Sequence, residues 1–396
     1  MADEQAYRVL EERLDERGVD IGKVKEGIKE FWVETPSWGY ADSGTRFGVF
    51  PQDGAARTIF EKLQDAATVH EHTGCAPSAA VHTAWDFDDA GVEEVQSYAQ
   101  ELGIKIGAIN PTLFEEDEYK FGSLASPDAE AREMAMEHIH RSIDIMKQTG
   151  SEVLSMWLAD GTNYPGQDDL RARKHRMTKG LQEAHDALPD GATMLVEYKL
   201  FEPAFYATDI ADWGASMLYC QHCGPQAKVL VDLGHHALGT NIEQIVAYLT
   251  DEDMLGGFHF NNKKYADDDL TSGSTKPYEL FLIFNELVAA GGDGLYDVAY
   301  MIDQSHNIKP KVEAMVQSVA ALQETYAKAL TVNRNRLREA QGACDVVRAE
   351  EELKRAFFTD VTPVLQKARE EMGVAPDPLQ SYRESGYQEK IEKERS

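Results

Sequence analysis

TMLVEYK (residues 193–199), KVLVDLGHH (228–236), GGFHF (256–260) and AYMIDQSH (299–306) decide how this chain is read. Each is a short run of mainly apolar residues that breaks off in a group able to hold a cation. The first ends on Glu197 and Lys199, and the second delivers Asp232, His235 and His236. The third carries His259 and leads into the acidic loop YADDDL (265–270), and the fourth presents Asp303. Segments of helical character separate the runs. Buried parallel strands have this near-continuous apolar pattern, whereas an exposed sheet alternates. Side chains two apart on a strand share a face, so Glu197 and Lys199 point the same way. Polar groups at the ends of apolar strands are costly to bury unless they are paired or bound to a cation.

Working outward, four earlier segments continue the rhythm: Gly44–Phe50, Ala79–Asp86, Lys105–Pro111 and Glu152–Asp160. With helices between them, eight strands alternate with helices, which most economically close into an α/β structure of the (β/α)8 TIM-barrel class. No G-x-G-x-x-G follows an early strand, which argues against an open dinucleotide-binding sheet. The expected organisation is an N-terminal helical segment over 1–43, a catalytic barrel over 44–310 and a C-terminal helical extension over 311–396. The extension is expected to pack on a neighbouring subunit. Residues 375–396 are charged and lack an apolar face, so they read as disordered or draped over a partner.

The chain has 396 residues, with 39 basic against 69 acidic side chains and a formal charge of −30. Such a surface repels phosphate backbones and anionic membranes, so neither nucleic acid nor a membrane is an expected partner. No apolar run approaches a bilayer's thickness, and Met1–Arg17 lacks the apolar core of a signal peptide. Four cysteines in so long a chain make no disulfide scaffold. A cytoplasmic protein is expected.

Reactive groups of a βα barrel sit at the carboxyl ends of its strands. Glu197, Asp232, His259 and Asp303, from four different strands, can converge there on one cation. His235, Asp267 and Asp269 follow two of the same strands, within reach of a second cation shared through Glu197. Carboxylates with one or two imidazoles suit Mn²⁺, Mg²⁺ or Co²⁺ better than a thiolate-seeking ion. Any one of these residues alone reads equally well as a solvated acid or a satisfied core histidine; the ordered set does not. Cys220-Gln-His-Cys223 lacks a second pair to complete a zinc site. Asp268 reads as a solvated turn residue, and His236 and His306 as groups that orient ligands.

VEYK, VDLGHH, FHFNNKKYADDDL and MIDQSHN resemble the corresponding segments of the bacterial L-rhamnose isomerase family, within the wider xylose-isomerase-like barrels. The resemblance runs from about Trp38 to Asn307. It implies that Glu197, Asp232, His259 and Asp303 hold a structural divalent metal. It implies equally that His235, Asp267 and Asp269, with Glu197, hold a catalytic one, and that the barrels form homotetramers. Two divalent cations per subunit are then expected, Mn²⁺ first and Co²⁺ or Mg²⁺ next. The implied reaction interconverts an aldose and a ketose, with L-rhamnose to L-rhamnulose as the leading case. Two cations on adjacent sugar oxygens polarise the carbonyl and stabilise the neighbouring alkoxide. In that chemistry Lys199 donates to a sugar oxygen, while His235, Asp267, Asp269 and Asp303 complete the catalytic set. Similarity also makes His82 and Trp85, in HTAWD (82–86), substrate-pocket residues. Trp157 becomes an apolar wall, and Phe47 a residue that reaches a neighbouring subunit's pocket.

Related barrels epimerise ketoses or cleave DNA. The charge balance argues against the nuclease, and an epimerase needs two carboxylates on opposite sides of one carbon. A non-catalytic metal- or sugar-binding protein could keep the ligands but has no use for Lys199.

Overall fold

The computed structural model describes residues 3–45, 47–87, 90–202, 207–292 and 294–396. Eight parallel strands follow one another round a barrel in chain order. They are β1 (Thr35–Pro36), β2 (Ser78–His82), β3 (Lys105–Asn110), β4 (Val153–Met156), β5 (Thr193–Glu197), β6 (Ala227–Asp232), β7 (Leu255–Phe260) and β8 (Ala299–Ile302). Glu34 closes the ring: its amide donates to the carbonyl of Tyr300 at 2.7 Å and its carbonyl accepts from the amide of Ile302 at 2.9 Å.

The alternation of side chains along the strands builds the site. Ala80, Ala108, Leu195, Leu230 and Met301 meet as one inward-facing apolar cluster that fills the barrel. Two residues further along the same strands come His82, Asn110, Glu197, Asp232 and Asp303, so the floor of the mouth is the next layer above that core. Residues of the opposite face, such as Val196, Val231, Phe258 and Ile302, are fully buried in the main core. Polar caps fix where the outer helices begin. Thr58 and Glu61 form a capping box on Ile59–Thr73, and Asp169, Asp212 and Asn241 cap later helices.

The first strand is not Gly44–Phe50. That stretch gives a small exposed antiparallel hairpin, Gly44–Thr45 against Gly48–Val49, with Arg46 outside the described residues. The barrel's own β1 is two residues long and ends in a proline, so it shows no periodicity. The barrel therefore begins ahead of residue 44. β2 is also shorter than expected, because Thr83–Phe87 turns into a helix after His82.

Lys311–Leu330 packs against the helices Pro277–Gly291 and Ile59–Thr73, which makes it the eighth barrel helix rather than part of an extension. Glu4–Glu16, Ile21–Glu30 and Thr362–Glu371 share a separate apolar cluster with Ala327 at the amino-terminal end of the barrel. The tail is ordered against its own barrel as two short helices, Pro378–Glu384 and Tyr387–Glu394. Arg395 donates to buried Asp65 at 2.7 and 2.9 Å, and the Tyr387 hydroxyl donates to the same carboxylate at 2.7 Å. Polar anchors of this kind leave no apolar stripe in the sequence. Among the described residues, no helix is long and apolar enough to cross a membrane.

Candidate metal centre and pocket

Glu197, Asp232, His259 and Asp303 come together. One ligand atom from each lies within 4.8 Å of all the others. His259 Nδ1 stands 3.1 Å from Glu197 Oε1 and 3.8 Å from both Asp232 Oδ2 and Asp303 Oδ2. Asp232, His235 and Asp267 form a second set on the same criterion, with His235 Nε2 at 3.1 Å from Asp267 Oδ1. Asp232 is therefore the carboxylate common to both sets. Glu197, expected in that bridging place, approaches His235 through the other ring nitrogen, Nδ1, at 3.2 Å. Asp269 stands beside Asp267 but outside this second set, and its Oδ1 is buried without a partner. Its unusual backbone, φ 44°, turns the acidic loop at that point.

Outer groups aim the inner ones. Asn261 Nδ2 donates to both oxygens of Asp232 at 3.0 Å, and the amide of Gly234 donates to Oδ1 at 2.6 Å. His235 Nδ1 lies 3.0 Å from the carbonyl of Tyr198, which turns Nε2 toward Asp232 and Asp267. Trp38 Nε1 donates to Asp303 Oδ1 at 2.8 Å. Metal-ligating side chains characteristically have outer partners of this sort.

Charge crowding is the second property of the centre. Burial raises Asp232 to about 7, despite the neighbouring His235. Burial works against a charge on His235 and His259, yet the surrounding carboxylates outweigh it and raise them to about 9 and about 10. Asp269 is raised well above the ordinary carboxylate range by burial and then by Asp267. Without a cation, protons neutralise the cluster. A hard divalent ion on oxygen and imidazole donors would replace them, so the residues present fit such an ion.

The centre opens into a cavity of about 250 Å³. Lys199 stands at its side, 2.6 Å from Asp267 and 2.7 Å from Glu202. Burial opposes its charge, but those two carboxylates dominate and hold the ammonium protonated. The rest of the lining is largely aromatic, and Lys199 Nζ lies 5.0 Å over the ring of Trp157. His82, Trp85 and Trp157 line the cavity, with Trp38 and Phe114 beside them. His82 packs 3.9 Å from the Trp85 ring, and Phe114 lies 4.8 Å from that of Trp157. Burial, then the Lys62 charge, pushes His82 down to about 3. Phe47 is absent from this wall; it sits on the hairpin, 83% exposed.

Sequence reasoning missed Trp38, Asn110, Phe114, Ser155, Glu202 and Ser305. Asn110 and Ser155 could have been found by counting alternate residues along β3 and β4. Phe114 and Glu202 lie in loops whose course carries no such signal.

Residues 70–323 match the model of the xylose isomerase-like TIM barrel family. The chain belongs to that family. As a member of it, the chain is 43% identical over 400 residues to a probable sugar isomerase of Rhizobium meliloti, spanning 98% of this chain and 92% of that protein. It is 27% identical over 267 residues to an L-rhamnose isomerase of Lactiplantibacillus plantarum, spanning 59% of this chain and 60% of that one. Among solved structures, an L-ribulose 3-epimerase superposes with a TM-score of 0.57 at 13% identity, covering 79% of this chain and 98% of that one. At that identity the likeness is one of fold.

Proposed function

We propose that this xylose isomerase-like barrel is a metal-dependent aldose–ketose isomerase, with L-rhamnose to L-rhamnulose the leading reaction and other aldoses as further substrates. One observation carries the reading: a cavity of about 250 Å³ is lined by two adjoining ligand sets, by a charged lysine and by aromatic rings, one of which lies under that lysine. The names of the Rhizobium meliloti and Lactiplantibacillus plantarum relatives agree with it.

Glu197, Asp232, His259 and Asp303 would hold one divalent cation, and Asp232, His235 and Asp267 a second, with Mn²⁺ first and Co²⁺ or Mg²⁺ next. Bound there, the ions supply polarisation of a carbonyl and stabilisation of the adjacent alkoxide. Lys199 donates a hydrogen bond to a sugar oxygen and adds positive charge beside it. Asp269, with a free Oδ1, exchanges the hydroxyl proton. Neutral His82 accepts the proton of the anomeric hydroxyl as the cyclic sugar opens, while the ring oxygen takes up a proton from solvent. Trp85, Phe114 and Trp157 pack against the apolar face of the sugar and its deoxy methyl group. A homotetramer in the cytoplasm completes the proposal, with Phe47 on its exposed hairpin directed at a neighbouring subunit.

A ketose 3-epimerase on the same barrel is the second reading, favoured by the fold of L-ribulose 3-epimerase. Epimerisation at one carbon needs acid and base on both faces. Here the acids lining the cavity come from the β5–β8 side, while β2, β3 and β4 carry His82, Asn110 and Trp157 at or within one residue of their ends. The test strips the protein with a chelator, restores Mn²⁺, Co²⁺, Mg²⁺ or Zn²⁺ singly, and assays panels of aldoses and ketoses. The expected result is ketose formation from L-rhamnose, with Mn²⁺ most effective. Failure on every aldose with every ion ends the isomerase reading, and epimerised ketose without aldose turnover selects the other.

A further inference from the structure

The turn after β1 contributes a side chain to the centre that no strand-end pattern predicts. Ser37–Tyr40 forms a single 3-10 turn beneath the mouth. Its Trp38 side chain spans the two sides of the cavity. The indole nitrogen donates to Asp303 Oδ1 at 2.8 Å, and the ring packs edge-on to His82 at 4.9 Å. The other oxygen, Asp303 Oδ2, is the one that faces His259 Nδ1.

We propose that Trp38 is a positioning residue of the metal centre, pinning one oxygen of Asp303 so that the other alone is presented to the cation. The inference rests on the metal reading above, but not on which sugar is converted.

Asp303 needs such a restraint. It lies one residue past the end of β8, and its side chain is 20% exposed, against 3% or less for Glu197 and Asp232. A carboxylate free to rotate could offer either oxygen or both. An indole N–H only donates, so it selects the charged acceptor without competing for the cation. Charge-assisted hydrogen bonds of this kind are the stronger ones.

The turn that carries Trp38 is itself clamped. Buried Asp86 accepts from Ser37 Oγ at 2.6 Å, from Lys62 Nζ at 2.6 Å and from the His82 amide at 2.8 Å. A Cβ on Gly39 would stand 2.8 Å from Met315 Cε and 3.0 Å from the Gln304 carbonyl. The ion pair between the first and second βα units thus reaches, through one turn and one indole, a ligand just past the last strand.

The test is Trp38→Phe, which keeps a ring in the wall and removes the donor. Trp85→Phe is the comparison, because its indole donates to Glu115 on the rim and not to the ligand sets. Chelator-treated proteins are titrated with Mn²⁺ and free ion is read by electron paramagnetic resonance. The expected result is a ten- to hundredfold weaker tight site in Trp38→Phe, the usual cost of losing an outer partner. Bound Mn²⁺ should also show an altered line shape, and Trp85→Phe should bind as the wild type does. Ser37→Ala, which loosens the turn and leaves the indole, should weaken binding in the same direction by less. Wild-type affinity in Trp38→Phe, or equal losses in both tryptophan variants, overturns the proposal. A wild type that binds Mn²⁺ but converts no sugar leaves it standing and removes only the isomerase reading; a wild type that binds no divalent ion overturns both.

Discussion

The two halves of the barrel mouth are built from the same repeated unit and hold opposite chemistry. β5 to β8 carry Glu197, Asp232, His259 and Asp303 at or within one residue of their ends, whereas β2 to β4 carry His82, Asn110 and Trp157 there. The histidines register the difference. In the acidic half, His235 and His259 are raised to about 9 and about 10 by the carboxylates around them, against the effect of burial. In the aromatic half, burial and then the Lys62 charge take His82 down to about 3. One scaffold therefore makes an imidazole cationic or neutral by what stands at the neighbouring strand ends. A cavity so divided can bind charge on one side and apolar sugar surface on the other.

The largest effect should come from the residue common to both ligand sets. Asp232→Asn keeps the shape and an oxygen to accept from the Gly234 amide, but it loses one of the two acceptors of Asn261 Nδ2 and removes a negative charge from the centre. Loss of cation-dependent stabilisation is worth several kcal/mol, so kcat/KM should fall on the order of a thousandfold. Aldose turnover at saturating Mn²⁺ checks this. Near-wild-type activity in the variant would mean that the acidic half is not the reactive one.

The acidic half was legible in the sequence, and for a definite reason. Its ligands sit at the ends of strands four to six residues long, so the apolar run, its polar stop and the following loop all appear in order. What the spacing could not give was which carboxylate belongs to both clusters, since that depends on where the oxygens of Asp232 and Glu197 point. The aromatic half was half legible. The resemblance of HTAWD flagged His82 and Trp85, but β1 is too short for periodicity, and nothing in the sequence marked Trp38 as following a strand. Phe114 comes from the segment between β3 and the helix Ala129–Thr149, where nothing local fixes its direction. The tail was misread because burial of Asp65 with Arg395 and Tyr387 is a polar event, and an apolar face was the signal sought.

A smaller effect is expected from the wall. Phe114→Ala removes an aromatic contact without touching a ligand or Lys199. Apolar recognition at one site discriminates by about 1–3 kcal/mol, or roughly ten- to two-hundredfold. That loss should appear in KM, with kcat changed only a few-fold, and should be greater for a deoxy sugar than for its hydroxylated counterpart. Steady-state kinetics on such a pair sharpen the comparison. A fall in kcat alone would assign the wall to the chemical step instead.

The smallest effect concerns folding, and separates the two kinds of histidine directly. His82 has a folded value near 3, below the ordinary 6.5 of an unfolded histidine. Between those values the unfolded chain holds a proton that the folded chain refuses, so this group makes stability fall as pH falls from about 6.5. Above 6.5 both states are neutral and the contribution is level. His82→Asn abolishes the linkage, so the decline in Tm of metal-free protein between pH 6.5 and 4.5 should be shallower in the variant, by at most ~1.4 kcal/mol per pH unit in stability. His235 and His259 have the opposite sign, because their folded values lie above 6.5 and protonation accompanies folding there. Since both proteins keep those two residues, their contribution cancels in the difference. Parallel Tm profiles for wild type and His82→Asn would show that His82 takes up its proton in the folded state as readily as in the unfolded one, and the aromatic half would then not be the apolar environment its ring contacts describe.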